Sequence, residues 1–250
     1  NNCPEIFSLI IPTDHDVVDA MVNDKRIPLL SFTGSTKIGK EVAAKVASRL
    51  GKTILELGGN NAIILDQSAE LKIAIPAIVF GAVGTAGQRC TTTRRLFVHE
   101  SQYEKVIEKL HHAYEQVTIG DPLDKNNLMG PLIDKSAVEH FSNAIARIKQ
   151  AGGHIVFGGE ILNKPGSFVQ PTLVRDAQND WDVVQEETFA PILYVMSYST
   201  LEEAIALHNG VPQGLSSALF TQNLKSAEHF LSAWGSDCGI ANINIGTSGA

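Results

Sequence analysis

Between Pro28 and Leu57 the chain runs from strand to helix to strand with almost no linker, and that rhythm leaves few folds open. Pro28-Leu29-Leu30-Ser31-Phe32 reads as a buried strand, an apolar run with a proline at its boundary. Thr33-Gly34-Ser35-Thr36 is the turn after it. Ile38, Val42, Val46 and Leu50 then recur at i+4 and line one helical face, and Gly51 stands where a C′ glycine ends a helix. Thr53 to Leu57 is the next strand, broken by Gly58-Gly59-Asn60-Asn61. Strand, helix and strand in this order form a βα unit of a mostly parallel sheet.

The same alternation continues downstream. Ala62 to Leu65 predicts a strand and Asp66 to Ala86 a helix, apolar on most sides and so buried. Arg95 to His99 predicts a strand, and Ser101-x-x-Glu104 is a capping box for a helix reaching about Val117. A helix follows over Asp134 to Ala151, with strands at His154 to Phe157, Phe168 to Val174 and Ile192 to Tyr198. Helices at Leu201 to His208 and Leu224 to Trp234 bracket a strand at Ser216 to Phe220, and Ile240 to Ile245 is the last strand. Upstream, Ile6 to Ile11 reads as a strand and Asp14 to Asn23 as a helix. The expected fold class is α/β, in two units that part near Gly58-Gly59: residues 1–58 and 59–250. The first residue is not Met and the last, Gly246 to Ala250, read as an unfinished loop, so a piece of a longer protein is expected.

Composition narrows the function classes. A net charge of -7 argues against a nucleic-acid surface. No apolar run is long enough to span a membrane. The three cysteines, Cys3, Cys90 and Cys238, are too widely spaced for a disulfide framework or a zinc site, which points to a reducing, cytoplasmic setting. The eight histidines show no metal-ligand spacing, so no metal is expected.

Several stretches could carry chemistry. Gly34-Ser35-Thr36-Lys37-Ile38-Gly39-Lys40 leads a strand into a helix N-terminus, whose free N–H groups and dipole favour phosphate. The Gly34-x-x-x-x-Gly39-Lys40 spacing approaches a P-loop, but Glu41 stands where the magnesium-binding Ser or Thr belongs. A dinucleotide pyrophosphate stays open there, beside a plain helix capped by Ser35. Glu56 closes a strand before two glycines. Among Ile54, Leu55 and Leu57 it reads either as a desolvated general base or as an exposed edge carboxylate. Gly87-Gln88-Arg89-Cys90-Thr91-Thr92 sets one thiol on a turn, either a buried structural cysteine or a nucleophile. Glu186-Glu187-Thr188-Phe189-Ala190-Pro191 brings two acids to a turn before a strand.

In this order Phe32-Thr33-Gly34-Ser35, Glu56-Leu57-Gly58-Gly59-Asn60, Gly87-Gln88-Arg89-Cys90 and Glu187-Thr188-Phe189-Ala190-Pro191 resemble the successive signatures of the NAD(P)-dependent aldehyde dehydrogenases. Gly239 to Asn244 with Thr247-Ser248-Gly249-Ala250, and Thr91-Thr92-Thr93-Arg94-Arg95, resemble the α-aminoadipic semialdehyde dehydrogenase subfamily. The resemblance implies the later part of a Rossmann-type cofactor domain in residues 1–58 and a catalytic domain in 59–250. It implies Cys90 as nucleophile through a thiohemiacetal and a thioester, and Glu56 as the base for hydrolysis. Gly34 and Ser35 would meet the pyrophosphate, Leu57 the nicotinamide, and Glu187 the nicotinamide ribose with Phe189 nearby. Arg89, Ser248, Gly249 and Ala250 would hold a carboxylate on the substrate. NAD is the implied cofactor, a small semialdehyde the implied substrate, and a homo-oligomer, tetramer or dimer, the implied full-length state. Alternatives are a dehydrogenase for another semialdehyde such as glutamate semialdehyde, a cysteine hydrolase, or a folded piece without turnover.

Overall fold

A computed structural model describes residues 6–248. The chain divides into two compact units, 1–58 and 59–250.

In the first unit, helix α1 (Asp16–Asn23) precedes strand β1 (Leu29–Thr33), helix α2 (Thr36–Ser48) and strand β2 (Lys52–Glu56). β1 and β2 pair in parallel, Thr33 opposite Glu56, as the βαβ rhythm requires. Ser35 caps α2 as expected, its Oγ accepting the Ile38 N–H at 3.3 Å. The far end differs from expectation. Gly51 is not the left-handed residue; Leu50 is, at φ 61°. The Gly51 N–H still reaches Val46 O at 3.0 Å and the Leu50 N–H Ala47 O at 2.9 Å, which is a Schellman closure with leucine at C′. β1 is not the buried strand its apolar run predicted: in both strands exposed and half-buried residues alternate, because a two-stranded sheet covers one face only. Val22, Val42 and Val46 form its small core, with Leu30 and Phe32 against them. Ile6 to Ile11 forms no strand; Phe7 and Leu9 are exposed and pair with nothing among the described residues.

The second unit is built on a seven-stranded sheet. Its strands are β3 (Asn61–Leu65), β4 (Thr93–His99), β5 (His154–Phe157), β6 (Thr172–Arg175), β7 (Ile192–Tyr198), β8 (Ser216–Phe220) and β9 (Ile240–Ile243). Their spatial order is β5-β6-β7-β4-β3-β8-β9. Every pairing is parallel except β5 with β6. The central strands are buried on both faces, hence the unbroken apolar run Ala62-Ile63-Ile64-Leu65 in β3. Helices α3 (Leu71–Val83), α4 (Tyr103–Glu115), α5 (Lys135–Gln150), α6 (Asp182–Gln185), α7 (Leu201–Asn209) and α8 (Leu224–Leu231) complete the unit. The sheet and helix faces share one continuous apolar core.

Two local expectations fail here. α3 is not buried all round, since Ile73 and Phe80 stay exposed. The capping box at Ser101 is not made: Glu100–Gln102 is a 3-10 turn, and the Ser101 N–H is taken by His99 Nδ1 at 3.2 Å. Strand β6 begins only at Thr172, because Pro171 cannot donate to a ladder. Among the described residues no helix is long and apolar enough to cross a membrane.

Candidate active site

In the first unit the site residues gather at the start of α2. The Gly34 N–H donates to Glu56 O at 3.0 Å, so the loop entering the helix is tied to the end of β2. Leu57 lies against Gly39, where an added Cβ would stand 2.4 Å from Leu57 Cδ2. Glu56 is exposed, on the open face of β2.

In the second unit they gather at the amino ends of the parallel strands. Cys90 lies on the turn just before β4, Gly59 and Asn60 just before β3, and residues 187–191 just before β7. The polypeptide reaches Cys90 through strained backbone. After α3 a short 3-10 segment, Gly84–Gly87, holds Thr85 and Ala86 at φ 54° and 52°. Gly87 follows at φ 69°, and a Cβ there would lie 2.3 Å from the Ala190 carbonyl carbon. Two backbones cross at that point, and only glycine fits.

The turn is then fastened by buried polar groups. The Asn61 side chain is fully buried, and its Nδ2 donates to Cys90 O at 2.7 Å, Thr92 O at 2.9 Å and Gly59 O at 3.3 Å. Its Oδ1 accepts the Ser216 N–H at 2.8 Å, which fixes the orientation of the amide. Gln88 joins the turn to a neighbouring loop, donating to Pro131 O at 3.3 Å and accepting the Ile133 N–H at 2.8 Å. Thr247 Oγ1 donates to Thr91 O at 2.8 Å, and Ser248 Oγ does so at 3.0 Å. Cys90 itself is a free, exposed cysteine rather than a structural one. Its N–H makes no hydrogen bond among the described residues.

Arg94 lies against the cysteine turn, with a side chain only 3% exposed. It donates to Thr188 O at 2.6 Å, Arg89 O at 3.3 Å and Gly59 O at 3.3 Å. It also pairs with Glu187 Oε1 at 2.9 Å. Burial pushes the Arg94 pKa down, and the Glu187 carboxylate pulls against that shift. The Gly59 N–H reaches the same Oε1 at 3.3 Å. Phe189, partly exposed, lies under the Arg94 guanidinium at 5.4 Å. Arg95 is equally buried and donates to Asn60 O at 2.7 Å and His208 O at 2.9 Å; burial lowers its pKa to about 9.

The second unit therefore brings together Arg89, Cys90, Glu187, Phe189 and Ser248. Arg89 is half-buried, its Nε donating to Thr85 Oγ1 at 2.9 Å and its guanidinium 5.0 Å from the Phe80 ring centroid. Gly249 and Ala250 lie outside the described residues. Sequence reasoning missed Asn61 and Arg94. A signal for both existed: an amide and a guanidinium entering apolar strands must find buried partners. Among the described residues no group of His, Cys, Asp or Glu is arranged to hold a metal.

Comparison with known proteins identifies the family. The model of the family described as "Aldehyde dehydrogenase family" matches residues 3–250. The chain is 53% identical over 250 residues to aldehyde dehydrogenase family 7 member A1 of Pisum sativum. It is 51% identical over 250 residues to the α-aminoadipic semialdehyde dehydrogenase of Mus musculus. All of the chain is covered in both, but only 49% and 46% of those proteins, so it spans about half the length of the curated relatives it matches. Among solved structures, an aldehyde dehydrogenase from Bacillus cereus superposes with a TM-score of 0.88 at 34% identity, over 92% of this chain and 46% of that one. Betaine aldehyde dehydrogenase from Staphylococcus aureus, solved in complex with NAD+, gives 0.88 at 29% identity, over 91% and 46%. With a family model matching nearly end to end, the chain belongs to the aldehyde dehydrogenase family.

Proposed function

We propose that the full-length protein oxidises an aldehyde to the carboxylic acid with NAD, and that Cys90 carries the reaction. The observation that carries this reading is the exposed thiol on a turn locked from behind by Asn61. A thiol so placed meets a small carbonyl compound without first breaking packing. Its thiolate adds to the aldehyde carbon, and the open Cys90 N–H stabilises the resulting oxyanion. Collapse of the thiohemiacetal expels a hydride and leaves a thioester on Sγ.

Bound NAD supplies the hydride acceptor. The residues present fit it. Glu187 uses Oε1 on Arg94 and Gly59, while Oε2 accepts no hydrogen bond among the described residues and can take the hydroxyls of a ribose. The exposed start of α2 offers Gly34, Ser35 and helix N-terminal N–H groups to a pyrophosphate, with Leu57 packed beneath at Gly39. Phe189 covers the Arg94 guanidinium beside the ribose carboxylate. Glu56, exposed, acts as the base that draws a proton from the water hydrolysing the thioester.

The substrate class is a semialdehyde with an acidic end, of the α-aminoadipic type. Identity to α-aminoadipic semialdehyde dehydrogenase supports it. So does Arg89, a guanidinium next to the nucleophile that can pair with a carboxylate once turned from Thr85. Ser248, beside Thr91, would complete that carboxylate site with Gly249 and Ala250. The sequence resemblance also supports a homo-oligomer, tetramer or dimer, and the sparse cysteines a cytoplasmic setting.

The test is aldehyde-dependent NADH formation by the full-length protein. Cys90→Ala should abolish it, and Glu56→Gln should give a burst followed by turnover slowed by at least about a hundredfold, the usual contribution of a general base. Undiminished turnover in Cys90→Ala ends the proposal.

A further inference from the structure

Arg94 touches three segments that the sequence keeps far apart. Its Nε reaches Gly59 O ahead of β3, and its Nη2 reaches Arg89 O in the cysteine turn. Its Nη1 takes Thr188 O, with Gly87 O at 3.5 Å, and Nη2 also pairs with Glu187 Oε1. One planar fork thus joins the nucleophile's turn to the carboxylate before β7. Glu187 is 16% exposed in its side chain, so its charge is largely withdrawn from water and has Arg94 as its counterion. The two bonds to Oε1, from Arg94 and from the Gly59 N–H, hold the carboxylate in one rotation. Among the described residues Oε2 is left with no donor.

We propose that Arg94 is a positioning residue for cofactor recognition: it fixes Glu187 through Oε1, ties it to the Cys90 turn, and so presents Oε2 to the two vicinal hydroxyls of the nicotinamide-side ribose. The inference rests on the reading of Glu187 as the ribose carboxylate. Its content beyond that reading is that the affinity supplied by Glu187 depends on Arg94, and that the same guanidinium sets the geometry of the thiol. Lysine cannot reproduce this, because a single ammonium cannot span acceptors on three segments.

The experiment is a double-mutant cycle in the full-length protein, with the NAD dissociation constant measured by calorimetry in the absence of aldehyde. Glu187→Gln should weaken NAD by about tenfold, the scale of one charged hydrogen bond. Arg94→Met should weaken it by a similar factor, and Arg94→Lys by about threefold, since charge is kept but the fork is lost. In the Glu187→Gln background, Arg94→Met should cost less than about twofold more, because two residues acting through one contact are not additive. Losses that multiply, or an unchanged constant in Arg94→Met, overturn the proposal. If Arg94→Met does not fold, Arg94→Lys decides by the same constant, and unchanged affinity there is equally fatal. An unchanged constant in Glu187→Gln defeats the ribose reading itself, whereas a weakened one with indifferent Arg94 variants defeats only this inference. A readout without cofactor checks the tie to the thiol. Alkylation of Cys90 by iodoacetamide, followed by peptide mapping, should change by more than about threefold in Arg94→Met and by less than that in Glu187→Gln, as a shared hydrogen-bond network implies. Equal rates in the wild type and Arg94→Met overturn the tie.

Discussion

Asn61 shows how much one side chain can determine at a site. All four of its hydrogen bonds are to backbone, from one fully buried amide. Asn61→Ala leaves the Cys90 and Thr92 carbonyls and the Ser216 N–H without that partner and should cost about 3 kcal/mol of stability. Asn61→Asp keeps the acceptor for Ser216 but turns an oxygen toward three carbonyl oxygens, so it should be the worse of the two despite being nearly isosteric. Urea denaturation of both variants checks the order, and an aspartate variant as stable as the wild type would refute the account. In the sequence Asn61 stands out only as part of the Gly59-Asn60-Asn61 stretch, with no role of its own. Three of its four partners lie 29, 31 and 155 residues downstream. Cys90 and Glu187 could be singled out as candidates because their neighbours form a local pattern. The Arg94–Glu187 pair, 93 residues apart, leaves no such local trace.

Among elements, α2 carries the clearest mismatch between residue and conformation. Leu50 occupies the left-handed C′ position with φ 61° while the residue is 95% exposed. The strain has no compensating burial. Leu50→Gly should therefore stabilise the protein by about 1 kcal/mol, the usual penalty for a Cβ in that region. The shift in the urea midpoint measures it, and a loss of stability would show that Leu50 has contacts its exposure conceals. Elements with a sustained period were legible: α2, α5 and α7 fall within two residues of expectation, and β7 matches it at both ends. Failures share a cause. Ile6 to Ile11 has strand composition but no described neighbour to pair with, and Phe168 to Pro171 precedes the point where the β6 ladder can begin. Strand propensity describes a surface that fits a sheet; it does not supply the partner. Glu56 illustrates the same limit, since only the packing of Val22, Val42 and Val46 against Leu30 and Phe32 shows which face of the two-stranded sheet is covered.

At the scale of the whole molecule the apolar cores are unequal. Among the described residues three buried valines form the core of the first unit, whereas the second unit packs its helices on a continuous core that runs along its sheet. Burial on that small scale does not offset the entropy of ordering so many residues. A protein made of residues 59–250 should accordingly unfold cooperatively by itself, and one made of 1–58 should show no cooperative transition by circular dichroism. Acid should act on the larger unit through His208. This imidazole is buried against Phe230 and near the Arg95 guanidinium, with Nε2 at 2.9 Å from Ser236 Oγ. Burial first, and Arg95 second, lower its pKa from 6.5 to about 3. The unfolded chain therefore binds a proton below pH 6.5 that the folded chain refuses until about pH 3. Stability from this group is fully present above the higher value and falls through the interval, by at most about 1.4 kcal/mol per pH unit. His208→Gln can keep a hydrogen bond to Ser236 but has no proton to take up. Between pH 6.5 and about 5, above the range where exposed carboxylates titrate, its stability should be flatter with pH than that of the wild type. Parallel stability curves for the two proteins would mean that His208 accepts its proton in the folded state, and that the cavity around it admits water.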